Sequence, residues 1–311
     1  MLRIGSRDSP LALAQTRQVM TQLQDTWPGL QLELKTFKTK GDIILDTSLS
    51  QVGDKGLFVK ELEIALLNNE IDLAIHSLKD MPGKQPEGLA LQSVGQREDP
   101  RDVLLSPGHI LFRFLNPGAL VGTSSLRRVA QFKRLRDDLE YQNIRGNLQT
   151  RLRKLEEGQY QAIILAAAGV HRLGWKPRIA QYFDPITESI PAVGQGILAV
   201  EFREADQWVQ EKLAPLALPA VQAAMQAERA MLRTLEGGCQ VPIGGYAKPQ
   251  DEAGTSFVLH GIVLDLDGTR AIKCELPFEP ANAEATGIAA AHQLMAEGAE
   301  DILNSLATRG I

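Results

Sequence analysis

Ile71-Asp72-Leu73-Ala74-Ile75-His76-Ser77-Leu78-Lys79-Asp80 is the stretch on which the fold of this chain is decided. Ile71, Leu73 and Ile75 alternate onto one face of a strand. The run then breaks, leaving a lysine and an aspartate beyond the strand's carboxyl end. Just upstream, residues 57–68 carry helical spacing, and residues 32–37 alternate as another strand. Residues 2–5 make the first strand. Ser9-Pro10 then opens a helix, since Ser9 can cap free N–H groups and Pro10 fits the first helical turn. Strand and helix therefore alternate, which predicts a parallel or mixed sheet with helices on both faces.

The rhythm restarts near Arg101. Residues 120–122 form a strand that leads into Thr123-Ser124-Ser125 and a helix. Residues 147–157 are helical, and 162–166 an apolar strand. Two α/β units stand in series, with crossings expected at 98–101 and at 189–196, where Pro191, Gly194 and Gly196 interrupt regular structure. Two crossings mean that the chain leaves its first unit and returns to it. The expected division is 1–98 with 197–216, then 99–196, then 217–311. The last part differs from the others. It reads as an alanine-rich helix over 219–236, strands at 244–247, 257–264 and 271–276, and a helix over 282–306. Asp267-Gly268 supplies a hairpin turn. That is a small α+β domain.

At 311 residues, with 44% hydrophobic and 23% charged, the chain has material for two or three cores. Its net charge of −5 argues against a general nucleic-acid or polybasic membrane binder. The basic residues are concentrated instead: residues 127–153 hold eight Lys/Arg against three Asp/Glu. A local positive patch on an acidic protein suits a small anionic ligand. No run approaches the roughly 18 apolar residues of a membrane span, and nothing at the start reads as a secretion signal. Cys239 and Cys274 make no disulfide framework and no zinc pattern. A cytoplasmic, reduced protein without a metal is expected.

Three groups of residues could carry chemistry. Cys239 follows Gly237-Gly238 in a loop after the long helix. It is either a buried structural thiol or an accessible one with room for a bulky group beside it. Cys274 lies inside a strand pattern and is read as structural. Asp80 lies where ligands bind in open α/β sheets, yet aspartate in a loop is also a common turn residue. His76 is read as a packed or hydrogen-bonded histidine. Arg127 and Arg128 follow Thr123, Ser124 and Ser125 at a helix start, where N–H groups, hydroxyls and guanidinium forks suit an anion. Arg145 precedes a glycine in a turn, and Arg151 lies one turn beyond Asn147. Arg7 and Ser9 occupy the first strand-to-helix loop, with Gln15 further along that helix. A single arginine is usually a solvated surface charge; several at loop–helix junctions are harder to dismiss. Residues 41–56, with Lys55 and Gly56, read as a glycine-bearing lid. Phe112 and Phe114 look exposed in an atypical stretch at 106–120.

The motifs HSLKD (76–80), GTSSLRR (122–128), IRGNLQTRL (144–152), PAVGQG (191–196) and LEGGCQVPIG (235–244) together resemble the porphobilinogen deaminase family, in its order and across nearly the whole chain. The resemblance implies two α/β domains similar to type II periplasmic binding proteins flanking a cleft, plus a small C-terminal domain. It implies a transferase that joins four porphobilinogens head to tail into hydroxymethylbilane with loss of ammonia, on a dipyrromethane cofactor held by a thioether to Cys239. Asp80 would be catalytic, lying against the pyrrole nitrogens. Arg7, Arg127, Arg128, Arg145, Arg151 and Arg172 would bind the acetate and propionate groups. Ser9, Gln15, Lys55, Ser77 and Lys79 would line the same site, as would Thr123, Ser124, Ser125 and Gln195. Gln51 departs from a pattern in which lysine is frequent. The substrate porphobilinogen is the expected partner, for a protein acting as a monomer without nucleic acid or membrane.

Two other classes of protein share part of this pattern. A non-catalytic solute-binding protein would share the two-domain clamp, but not the extra domain with Cys239. A nucleic-acid binder using 127–153 conflicts with the acidic balance and with the lack of interleaved aromatics there.

Overall fold

The computed structural model describes residues 1–39, 41, 56–235 and 241–308. The chain opens with β1 (Leu2–Arg7), α1 (Pro10–Thr26) and β2 (Leu32–Phe37). Ser9 caps α1 as expected, its hydroxyl accepting from the Ala12 N–H at 3.3 Å. Then come α2 (Lys60–Leu67), β3 (Leu73–Ser77) and β4 (Leu89–Val94). A short turn of helix, Leu78–Asp80, follows directly on β3.

After the first crossing lie β5 (Asp102–Leu105), β6 (Leu120–Gly122), α3 (Leu126–Leu135) and β7 (Glu140–Gln142). They are followed by α4 (Leu148–Glu156), β8 (Ala162–Ala166), α5 (Ala167–Arg172) and β9 (Gln181–Tyr182). The second crossing leads back to β10 (Leu198–Arg203) and α6 (Gln207–Leu213). The chain ends with α7 (Pro219–Thr234), β11 (Ile243–Pro249), β12 (Phe257–Leu264), β13 (Ala271–Phe278), α8 (Ala283–Leu294) and α9 (Glu300–Thr308).

The first two sheets are built alike. One has the order β2-β1-β3-β10-β4, the other β7-β6-β8-β5-β9. In the first, β1 is parallel to β2 and β3, while β10 runs antiparallel to β3 and β4. In the second, β6 is parallel to β7 and β8, while β5 runs antiparallel to β8 and β9. Each antiparallel strand is the one that has just crossed from the other unit. The third sheet, β11-β12-β13, is antiparallel, and α7 and α8 share its core through Ala227, Met231, Leu259, Ala290 and Leu294. The α/β architecture with a smaller third unit is thus the one that the alternating patterns imply.

Two readings of the sequence need correction. Phe112 is buried, with its ring edge-on to Phe132 and Phe183 at 5.4 Å from each; only Phe114 is exposed. The Arg136 guanidinium organises this stretch by donating to the carbonyls of Phe112, Arg113 and Leu115. The closing helix is also not continuous. It widens over Met295–Ala299, where Gly298 takes a φ of 106°, and restarts as α9. A left-handed glycine breaks the helical hydrogen-bond ladder there.

The crossings are held by buried charge. Glu228 of α7 is fully buried and accepts from the Arg97 guanidinium in the first crossing, the Gly194 N–H in the second at 2.7 Å, and the Ala247 N–H of β11 at 2.8 Å. One carboxylate therefore joins the third unit to both crossings. Gly196 permits the close pass of the two strands: at a φ of +92°, a Cβ there would lie 2.2 Å from the Glu98 carbonyl oxygen.

Replacing Glu228 with leucine would strand the Arg97 guanidinium and two N–H groups. Breaking a buried pair from one side costs about 3–5 kcal/mol. A drop of that size should appear as a lowered urea midpoint for Glu228→Leu; a midpoint equal to wild type would refute the clamp.

Candidate functional site

The candidate residues gather at the carboxyl ends of parallel strands, where loops leave both sheets. Arg7 ends β1, and its guanidinium lies over the Phe58 ring at 4.4 Å from the centroid. Ser77 ends β3 and accepts from Gln15 Nε2 of α1 at 2.9 Å. Lys79 and Asp80 follow in the short helical turn, which orders them without a long loop. In the second unit, Thr123, Ser124 and Ser125 leave β6, and the Ser125 hydroxyl caps α3 by accepting from the Arg128 N–H. The Ser124 hydroxyl donates to the Ile144 carbonyl, tying that loop to the one carrying Arg145. Arg151 of α4 donates through Nε to the Gly146 carbonyl at 2.9 Å, and Asn147 caps the same helix.

Charges from both units meet here. Burial pushes Lys79 down to about 8, although part of its side chain reaches solvent; Asp80 opposes the shift, while Arg128 and Arg127 add to it. Burial also lowers Arg151, to about 10, with the charges of Arg128 and Arg145 adding and Asp80 opposing. Burial lowers Arg145 as well. Lys79 and Asp80 of one unit therefore share a field with Arg128, Arg145 and Arg151 of the other. Cations exceed anions within it, so the free energy of each guanidinium improves when a carboxylate enters.

Arg127 and Arg128 are less open than a surface patch would be. Both are buried, and both donate to Asp102, the first residue of β5. Arg127 also donates to the Ile190 carbonyl at 2.6 Å, and Arg128 to the Ile164 carbonyl at 3.0 Å. Burial alone would raise the Asp102 carboxyl, but the two guanidiniums outweigh it and hold it well below the usual carboxylate range. Gln195 Nε2 donates to the same carboxylate and to the Pro100 carbonyl. Arg172 is turned toward the second crossing, donating to the Gly196 carbonyl at 2.9 Å; burial pushes it down to about 10, against the pull of Glu98.

Asp102, Ser189 and Glu228 were not singled out from the sequence. An aspartate at a strand start, a serine before a proline loop and a glutamate inside a helix carry no local signal. Only the convergence of distant segments gives them partners. His76 behaves as expected of a packed residue: it is buried, with Nε2 3.2 Å from the buried Glu201 carboxylate. Cys274 is a buried free thiol that burial pushes up to about 11. Cys239, Lys55 and Gln51 lie outside the described residues, as does most of the expected lid. Among the described residues, no group of three or more His, Cys, Asp or Glu side chains could hold a metal ion. No helix among them is long and apolar enough to cross a membrane.

Comparison with known proteins shows the family of the chain. The family model "Porphobilinogen deaminase, dipyromethane cofactor binding domain" matches residues 2–211, and "Porphobilinogen deaminase, C-terminal domain" matches 222–296. The chain belongs to the porphobilinogen deaminase family. It is 49% identical over 306 residues to the porphobilinogen deaminase of Syntrophobacter fumaroxidans, covering 98% of each chain. It is 47% identical over 310 residues to that of Geobacter sulfurreducens, covering 100% of this chain and 96% of the relative. Among solved structures, a nutrient-binding protein from Burkholderia cenocepacia overlaps this member of the family with a TM-score of 0.43 at 12% identity, covering 75% of this chain and 95% of that one. That overlap is too loose to argue from, and the architecture stands on the strand orders themselves.

The depressed Lys79 makes a prediction that needs no ligand. Its folded pKa of about 8 lies below the ordinary 10.5, so between these values the unfolded chain holds more protons than the native one. The penalty of burying the charge is full below pH 8 and fades as pH rises towards 10.5. Lys79→Met should therefore melt higher than wild type at pH 7, with the gap closing from pH 8 to 10. Melting midpoints of the two proteins across this pH range test it; a gap independent of pH would refute it.

Proposed function

We propose that this chain condenses four porphobilinogen molecules head to tail, with loss of four ammonia molecules, and that one water then hydrolyses the terminal bond to release hydroxymethylbilane. We further propose that Cys239 holds a dipyrromethane primer through a thioether, and that the protein works as a cytoplasmic monomer. The observation that carries the reading is that Lys79 and Asp80 follow β3 while Arg128, Arg145 and Arg151 lie on the elements after β6 and β7, with the charges of Asp80 and Arg128 acting on both Lys79 and Arg151. Each porphobilinogen brings two carboxylates, so a surplus of desolvated cations over the carboxylates of Asp80 and Asp102 fits a pyrrole chain. When bound, the primer supplies the pyrrole carbon that the first substrate joins.

The chain's own residues would act as follows. Loss of ammonia from the aminomethyl group leaves a cationic azafulvene, and the fixed Asp80 carboxylate stabilises that charge. Asp80 also accepts a proton from a pyrrole during coupling. Lys79, Arg128, Arg145 and Arg151 neutralise the acetate and propionate groups and hold the rings in register. Gln15, by donating to Ser77, steadies the end of β3 from which Asp80 emerges.

Two outcomes follow. Cys239→Ser should abolish the two-pyrrole mass increment of the intact protein, while Cys274→Ser should keep it, because Cys274 is packed inside β13. An increment on the Cys239 variant would refute the attachment site. In primer-loaded protein, Asp80→Asn should slow single-turnover ammonia release by about a hundredfold or more, the scale of one lost electrostatic contact. Asp80→Glu should lose less. An asparagine variant as fast as wild type would leave Asp80 as scaffold only.

A further inference from the structure

We infer that Asp102 is a positioning residue for this reaction: its carboxylate aims Arg128 at the pyrrole chain and ties that guanidinium to both crossing strands. The inference rests on the proposed function. Asp102 is fully buried and accepts five hydrogen bonds. Its Oδ1 receives Arg128 Nε at 3.0 Å, Arg128 Nη2 at 2.8 Å and Gln195 Nε2 at 2.9 Å. Its Oδ2 receives Arg127 Nη2 at 2.9 Å and the Ser189 hydroxyl at 2.8 Å. Asp102 itself stands just past the first crossing, and Ser189 and Gln195 belong to the second.

Arg128 is the member of this set that stands in the first turn of α3, beyond the carboxyl end of β6 where the site residues gather, and its charge acts on both Lys79 and Arg151. An arginine side chain has many rotamers. With two nitrogens on one carboxylate oxygen and a third on the Ile164 carbonyl, its fork has a single orientation left. Asp102 also offsets the repulsion between two guanidiniums that are adjacent in sequence and both desolvated. It does this as a fully buried group whose two oxygens are both taken by protein donors. The carboxylate thus sets where the first acid group of an incoming pyrrole is received.

The test uses the full chain carrying Asp102→Asn or Asp102→Glu, with primer-loaded protein selected by its mass increment. Loss of one well-aimed charged contact corresponds to about a 10- to 100-fold change in affinity. For Asp102→Asn, KM for porphobilinogen should rise on that scale while kcat stays within about threefold, the two being read as separate free energies. Asp102→Glu keeps the charge and should recover part of the KM. A loaded asparagine variant with KM within about twofold of wild type would overturn the inference, and so would a fall in kcat with KM unchanged. If Asp102→Asn gives no soluble protein, Asp102→Glu decides by the same split: a raised KM supports the role and an unchanged KM overturns it. Wild-type protein that fails to consume porphobilinogen would sink the functional reading instead, a result visible before any variant is compared.

Discussion

A carboxylate inside a protein is tolerated only when its lost hydration is replaced by well-placed donors. The burial of Asp102 imposes that condition where the chain passes twice between its α/β units. Its donors come from the first turn of α3 and from the second crossing, so these segments meet at one point. Glu228 does the same on the side of the third unit, collecting Arg97, Gly194 and Ala247. The strand orders are consistent with two passes between the units. The strand that arrives by each crossing takes the fourth place in its new sheet and runs against its neighbours.

Residues that follow β3 and residues that follow β6 lie close enough to act on one another's charges. Asp80 then shares its surroundings with arginines that are distant in sequence. The cations are partly desolvated, which strengthens their field and makes the free site a poor place for so much positive charge. A ligand rich in carboxylates relieves that strain. The same field gains little from a neutral solute, so these residues are suited to ligands that carry acid groups.

Much of this was legible beforehand. The Ser9-Pro10 cap is a local signal and appears where its residues point, whereas the strand expected over 71–75 lies over 73–77, buried on both faces. Asp80 and the serines before α3 were legible for the same reason, being residues at the ends of recognisable elements. Phe112 was misread because a short aromatic run looks the same whether it covers a core or faces water. Its burial depends on Phe132 and Phe183, which arrive from other segments. Arg127 and Arg128 were legible as an anion-binding pair, but the protein anion already held between them was not.

The sequence by itself determined the alternation of strand and helix, the two crossings, the hairpin at Asp267-Gly268 and the residue types available at each loop. These depend on backbone preference and on periodicity within a few residues, which a chain carries wherever it folds. Only the tertiary structure decided which charges meet. Asp102 lies 25 residues from Arg127 and 93 from Gln195, and Glu228 lies 131 from Arg97. Their pairing rests on the return of the chain to its first sheet, because an electrostatic contact is set by distance in space and by the loss of water around it, and neither is written in local order.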